Sequence, residues 1–132
     1  MKYSEYIKAF LDFLRETRRD YDNAVEDVND AENQTQDILH SLELEELSYH
    51  QSARLALALC DVRQLRREAK DRQDQLRPLM DWITVSDHEL KALERTLGFV
   101  RKAEKSTEER YYCKKTDIVT RTLGTQLKKE DA

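Results

Sequence analysis

YSEYIKAFLDFLRETRRDYDNAVEDVNDAENQTQDILHSL, residues 3–42, decides the fold. Tyr3, Ile7, Phe10, Leu14, Thr17 and Tyr21 follow one another at spacings of four and three, and Ala24, Val28, Ala31, Thr35, Ile38 and Leu42 continue the same rhythm. No Gly or Pro interrupts it. Such a stripe is the core seam of a coiled-coil-like helix, which at ~1.5 Å per residue runs about 60 Å. The two ends of the seam are bulky. Its middle is thin, with Thr17, Ala24 and Ala31 in core positions, and small residues there permit close helix approach while burying little area.

Outward from this helix the composition points the same way. The chain has 132 residues, 38% of them charged, and only 2 Gly and 1 Pro, so few turns are available and the elements must be long. LELEELSYH, residues 42–50, reads as a reversal, with Ser41 or Ser48 available to cap a second helix. Leu55, Leu59, Val62, Ala69, Leu76, Met80 and Ile83 carry the seam of that helix. Pro78 lies within it and predicts a kink or break there. Leu79, Met80, Trp82 and Ile83 form a dense apolar cluster expected to pack on Ile7, Phe10 and Leu14. TVSDHE, residues 84–89, offers a capping box from Ser86 to Glu89, and Leu90, Leu93, Leu97 and Val100 space a third helix. The expected fold is all-α: a long antiparallel helical hairpin plus a third helix, a three-helix, coiled-coil-like bundle. It spans residues 1–112, with 113–132 as a tail that is partly disordered or forms a short helix, and KKEDA at its end is expected to fray.

Charge is polarised along the chain. Residues 1–50 hold 5 basic and 13 acidic side chains, residues 51–94 hold 8 of each, and residues 95–132 hold 10 basic and 6 acidic. A net charge of −4 argues against a general nucleic-acid binder. RQLRREAKDR, residues 63–72, nevertheless gathers Arg63, Arg66, Arg67, Lys70 and Arg72. A hairpin turning near residue 45 lays this stretch beside residues 18–27, close to the acidic row Asp20, Asp22, Glu26, Asp27, Asp30 and Glu32. The basic stretch therefore reads as register pairing inside the hairpin. No aromatic interleaves it to stack on bases, so direct nucleic-acid binding is not expected of it. The acidic residues that pairing leaves over, together with Glu43, Glu45 and Glu46 at the corner, are the candidate partner-binding face.

Enzyme chemistry is missing from the sequence. It has no phosphate-cradling glycine loop, no nucleophile elbow and no C-x-x-C, and neither Cys60 nor Cys113 follows a metal-ligand spacing. His40 and His50 stand near Asp37, Glu43 and Glu46, but the doubled Glu-x-x-His of a di-metal bundle is absent, so solvated corner residues are the better reading. No cofactor and no metal are expected. Tyr3, Tyr6, Phe10 and Phe13 read as end-packing of the bundle rather than a ligand box, and Tyr111 and Tyr112 as a contact surface or a helix end. No segment approaches the ~20 apolar residues of a membrane span and none resembles a signal peptide, so the expectation is a cytoplasmic protein with free thiols.

The succession YSEYIKAFLDFL, LHSLELEELSY, RREAKD, LRPLMDWI and LERTLGFVRKAEKSTEERYY resembles small all-helical proteins encoded by phages and prophages of Firmicutes. The resemblance covers residues 3–112, and the tail from Cys113 departs from it. It transfers no catalytic residue. It implies a short accessory gene whose product binds a host defence protein, and hence an anti-CRISPR acting on a Cas effector such as Cas9. Carboxylates ranged along a helix supply a physical route, by imitating nucleic-acid phosphates. Two other classes remain open: a coiled-coil assembly or scaffold protein that works as a homodimer, and a nucleic-acid-binding accessory protein using Arg95, Arg101, Lys102, Lys105 and Arg110.

Overall fold

The computed structural model describes residues 1–110 and 114–124. The chain is all-helical over these residues, in the order α1 (Tyr3–Leu44), α2 (Tyr49–Val85), α3 (Asp87–Glu108) and α4 (Ile118–Leu123). It divides into two compact units, Met1–Val100 and Arg101–Ala132. In the first, α1 and α2 pack closely along their length as an antiparallel hairpin.

Caps define the ends of these helices. At the start of α1 the Lys2 backbone N–H donates to Glu5 Oε2 at 2.9 Å. Ser48 opens α2 with a reciprocal box: its Oγ accepts from the Gln51 N–H at 3.1 Å, and its own N–H donates to Gln51 Oε1 at 2.9 Å. The reversal needs no glycine because Glu45 (φ −97°, ψ 148°) and Ser48 (φ −70°, ψ 165°) turn the chain through extended geometry open to any residue.

The second half differs from expectation in two places. Of the kink or break expected at Pro78 the break is absent, since α2 continues through it to Val85. The proline is exposed, and the helix on either side is long enough to carry one missing hydrogen bond. The interruption comes at Ser86 (φ −99°, ψ 13°) instead. Ser86 also does not act as a side-chain cap. Its N–H donates to the Trp82 carbonyl at 3.0 Å and its carbonyl accepts from the Leu90 N–H at 2.9 Å, so its backbone closes α2 and opens α3 without help from the hydroxyl.

The core follows the predicted seam from Leu14 onward. Leu14, Thr17, Ala24, Val28 and Ala31 are buried, and Ala24 is 0% exposed. The thin middle is therefore closed by close approach, with Ala69 of α2 buried beside Ala31. Polar seam residues are satisfied locally: Thr17 Oγ1 donates to the Phe13 carbonyl at 2.9 Å and Thr35 Oγ1 to the Ala31 carbonyl at 2.8 Å.

Nearer the N-terminus the seam shifts by one residue. Ser4 and Leu11 are buried, whereas Tyr3 and Phe10, the expected core residues, are exposed. The cause is α3. Leu90 lines a cleft with Leu11, Leu14 and Ile83, and Arg15 Nη2 reaches Glu94 Oε1 at 3.1 Å, so α3 covers the flank of α1 that carries Leu11. Ile83 is 1% exposed against this flank. The expected packing of Ile83 against Leu14 is present, but Leu11 stands where Phe10 was expected. Leu97 is the buried residue of α3.

In the second unit, α4 occupies part of the segment expected to be a short helix or an extended stretch, with Arg121 Nη2 on Asp117 Oδ1 at 2.9 Å. Gly124 follows it at φ 63°, a geometry that a side chain would strain. The expectations for Tyr111, Tyr112, Cys113 and the terminal KKEDA lie outside the described residues.

Candidate functional site

The acidic residues of α1 divide according to the helix face they occupy. Ala24, Val28 and Ala31 turn toward α2, and at about 100° per residue Glu26 falls opposite them, with Asp22 and Asp30 one turn to either side. All three are exposed, and none has an ion-pair partner among the described residues. Asp37 stands seven residues beyond Asp30, two helical turns further along the helix. Asp27 and Glu32 behave differently because they sit on the flanks. Arg66 donates to Glu32 Oε1 through Nη2 at 3.0 Å and Nε at 3.2 Å, and Arg72 Nη1 lies 3.7 Å from Asp27 Oδ2. Asp20 is exposed and shares the Asp27 flank.

Pairing between the hairpin arms is thus real but narrower than expected, and its register is different. Arg66, expected beside residue 24, meets Glu32 about two turns further on. Part of the offset comes from the corner, which spans residues 45–48 rather than turning on residue 45. The remainder comes from side-chain direction. On each helix the side chains lean toward their own N-terminus, so across an antiparallel pair Arg66 leans toward the corner and Glu32 away from it. Lys70 bonds Asp74 within α2 at 3.5 Å, while Arg63 and Arg67 make no ion pair among the described residues. Arg72, the last residue of the basic stretch, does take part.

A double-mutant cycle on Arg66 and Glu32, both part-exposed, should return a coupling of ~0.2–1 kcal/mol in urea denaturation. A coupling several-fold larger would show that the pair holds the hairpin together rather than choosing its alignment.

The basic residues of α2 share their surface with carboxylates. Arg63, Arg66, Arg67 and Lys70 line one shallow cleft, but Asp71 and Asp74 line it with them. Two carboxylates in the cleft oppose any anion that approaches.

The corner concentrates negative charge differently. Glu43, Glu45 and Glu46 are exposed where α1 ends, and the last turn of α1 holds no basic residue. Carboxylates at a helix C-terminus add to the negative end of the dipole instead of offsetting it. Ser41 Oγ donates to Glu45 Oε1 at 3.3 Å, which ties one of the three to the helix. Among the described residues no three His, Cys, Asp or Glu side chains come together in a way that could hold a metal ion, and no helix is long and apolar enough to cross a membrane. Arg95, Arg101, Lys102, Lys105 and Arg110 are each exposed.

No protein family, curated protein or solved structure matches the chain.

Proposed function

We propose that this protein is a non-enzymatic inhibitor whose outward acidic row on α1 occupies the basic nucleic-acid channel of a protein partner. The observation that carries this reading is the split among the α1 carboxylates. Asp22 and Glu26 stand unpaired on the face turned from α2, and Asp30, also without an ion pair, stands at the edge of the groove that Arg72 lines, while Asp27 and Glu32 are engaged by Arg72 and Arg66. Successive members of the row are about 6 Å apart along a rigid helix axis. A channel lined with Arg and Lys to hold phosphates would meet regularly spaced carboxylates without paying to order them, and long-range attraction would speed the encounter. The resemblance to phage and prophage proteins narrows the partner class to host defence proteins. An anti-CRISPR acting on a Cas effector such as Cas9 is the specific form tested first.

Pull-down from a host lysate identifies the partner, and DNA cleavage by purified Cas9 and guide measures inhibition. Inhibition is expected to weaken as salt rises. Combined reversal of Asp22→Lys, Glu26→Lys and Asp30→Lys is expected to cost about 100-fold or more in potency without loss of helicity. Asp27→Lys is expected to cost far less, because that carboxylate is already engaged by Arg72. Undiminished cleavage in excess protein sinks the Cas9 form. A triple variant that loses helicity along with potency would assign the row to the fold instead.

A further inference from the structure

The first four turns of α1 carry a second apolar stripe that the bundle does not use. Tyr3 is 80% exposed, Tyr6 58%, Phe10 41% and Phe13 53%. They stand at spacings of three, four and three, so they share one face beside the buried seam of Ser4, Leu11 and Leu14. α3 covers the Leu11 flank and leaves this one open. Expected as internal end-packing, the four rings are on the surface.

We infer that this aromatic stripe is a homodimer interface, in which the α1 segments of two copies pack antiparallel about a twofold axis near residue 8. The inference is independent of the acidic row and goes beyond the inhibitory role proposed above. Two observations point to a second copy as the occupant.

The stripe is symmetric. Spacings of three, four and three read the same in both directions, so an antiparallel copy sets Tyr3 opposite Phe13 and Tyr6 opposite Phe10, and the same two contacts recur across the axis. A twofold interface requires a surface complementary to itself in this way, and a stripe matched to a different partner carries no such requirement.

The area matches a weak, reversible dimer. An aromatic side chain buries about 150–250 Å², so the exposed fractions leave roughly 350–600 Å² on each copy. Two copies face to face would remove at most about 700–1,200 Å² from water, the size of a weak and transient interface.

Sedimentation equilibrium from about 5 to 500 µM is expected to show a monomer–dimer equilibrium with a dissociation constant of about 1–100 µM. The combined variant Tyr3→Glu with Tyr6→Glu is expected to raise that constant at least about tenfold. These two rings are the most exposed of the four, and an acidic residue in the first turn of a helix favours its dipole, so the monomer should keep its helicity. Register is read by cysteine pairing in a Cys60→Ser, Cys113→Ser background. A mixture of Tyr6→Cys and Phe10→Cys proteins should form the mixed disulfide in preference to either like pair. A strict monomer at the highest concentration overturns the interface, as does a Tyr3→Glu, Tyr6→Glu variant that associates as tightly as the parent. Predominant Tyr6→Cys like pairs overturn the antiparallel register.

Discussion

Ile83→Ala should destabilise the protein by ~2–5 kcal/mol, read as a fall in the midpoint of urea denaturation. Ile83 is the one large side chain among the described residues that is essentially sealed from solvent, at 1% exposure. It sits in the last turn of α2 where Leu11 and Leu14 of α1 and Leu90 of α3 converge. Elsewhere the hairpin core is built of Thr17, Ala24, Val28, Ala31 and Ala69, which cannot expand to fill a void. The cavity left by truncation would therefore persist. Ile83→Val should cost only ~0.5–1.5 kcal/mol, since it removes one methyl group. Val85→Ala, two residues away but exposed, should stay within about 0.5 kcal/mol. If Ile83→Ala behaves like Val85→Ala, the α1, α2 and α3 junction is not the stability centre that the packing implies.

The opposite sign is expected at Pro78. Pro78→Ala should raise stability by about 2 kcal/mol. A proline in a helix interior costs ~3 kcal/mol through its missing N–H and its clash with the preceding turn, and about 0.4–1 kcal/mol of that is offset because proline also stiffens the unfolded chain. α2 runs uninterrupted through Pro78, and both Pro78 and Arg77 are exposed, so no packing of the ring compensates. The substitution also restores a donor for the Asp74 carbonyl. Equilibrium denaturation checks the gain. A loss of stability on Pro78→Ala would mean that the proline sets the bend of α2 on which the Ile83 packing depends.

How much of this was legible in advance differs from element to element. The α1 seam from Leu14 to Leu42 could be read directly, because a two-helix contact obeys one periodicity and each core position has one neighbour to face. Ser48 as the cap of α2 followed from local chemistry alone. The acidic row was visible as composition. Its division into the engaged Asp27 and Glu32 and the unengaged Asp22, Glu26 and Asp30 was not, since it depends on which side of α1 the second helix lies. Asp37 was missed because it stands apart from the dense acidic run while lying on the same face.

Residues 3–14 show where periodicity stops being enough. Tyr3, Phe10 and Leu14 fit the heptad as well as Ser4, Leu11 and Leu14 fit the observed burial, and hydrophobicity favours the former set. Only the arrival of α3 on one flank of α1 chooses between them. The same holds for register, where side-chain lean and the length of the corner moved Arg66 onto Glu32.

Helix type, helix order and the antiparallel hairpin were thus determined by the sequence itself, since they rest on local periodicity, caps and the scarcity of glycine and proline. Tertiary structure alone decided which face of the α1 N-terminus is buried, which carboxylates are left free and which aromatics reach the surface. Those outcomes depend on where a third helix lands, a long-range contact with no local signature in the chain.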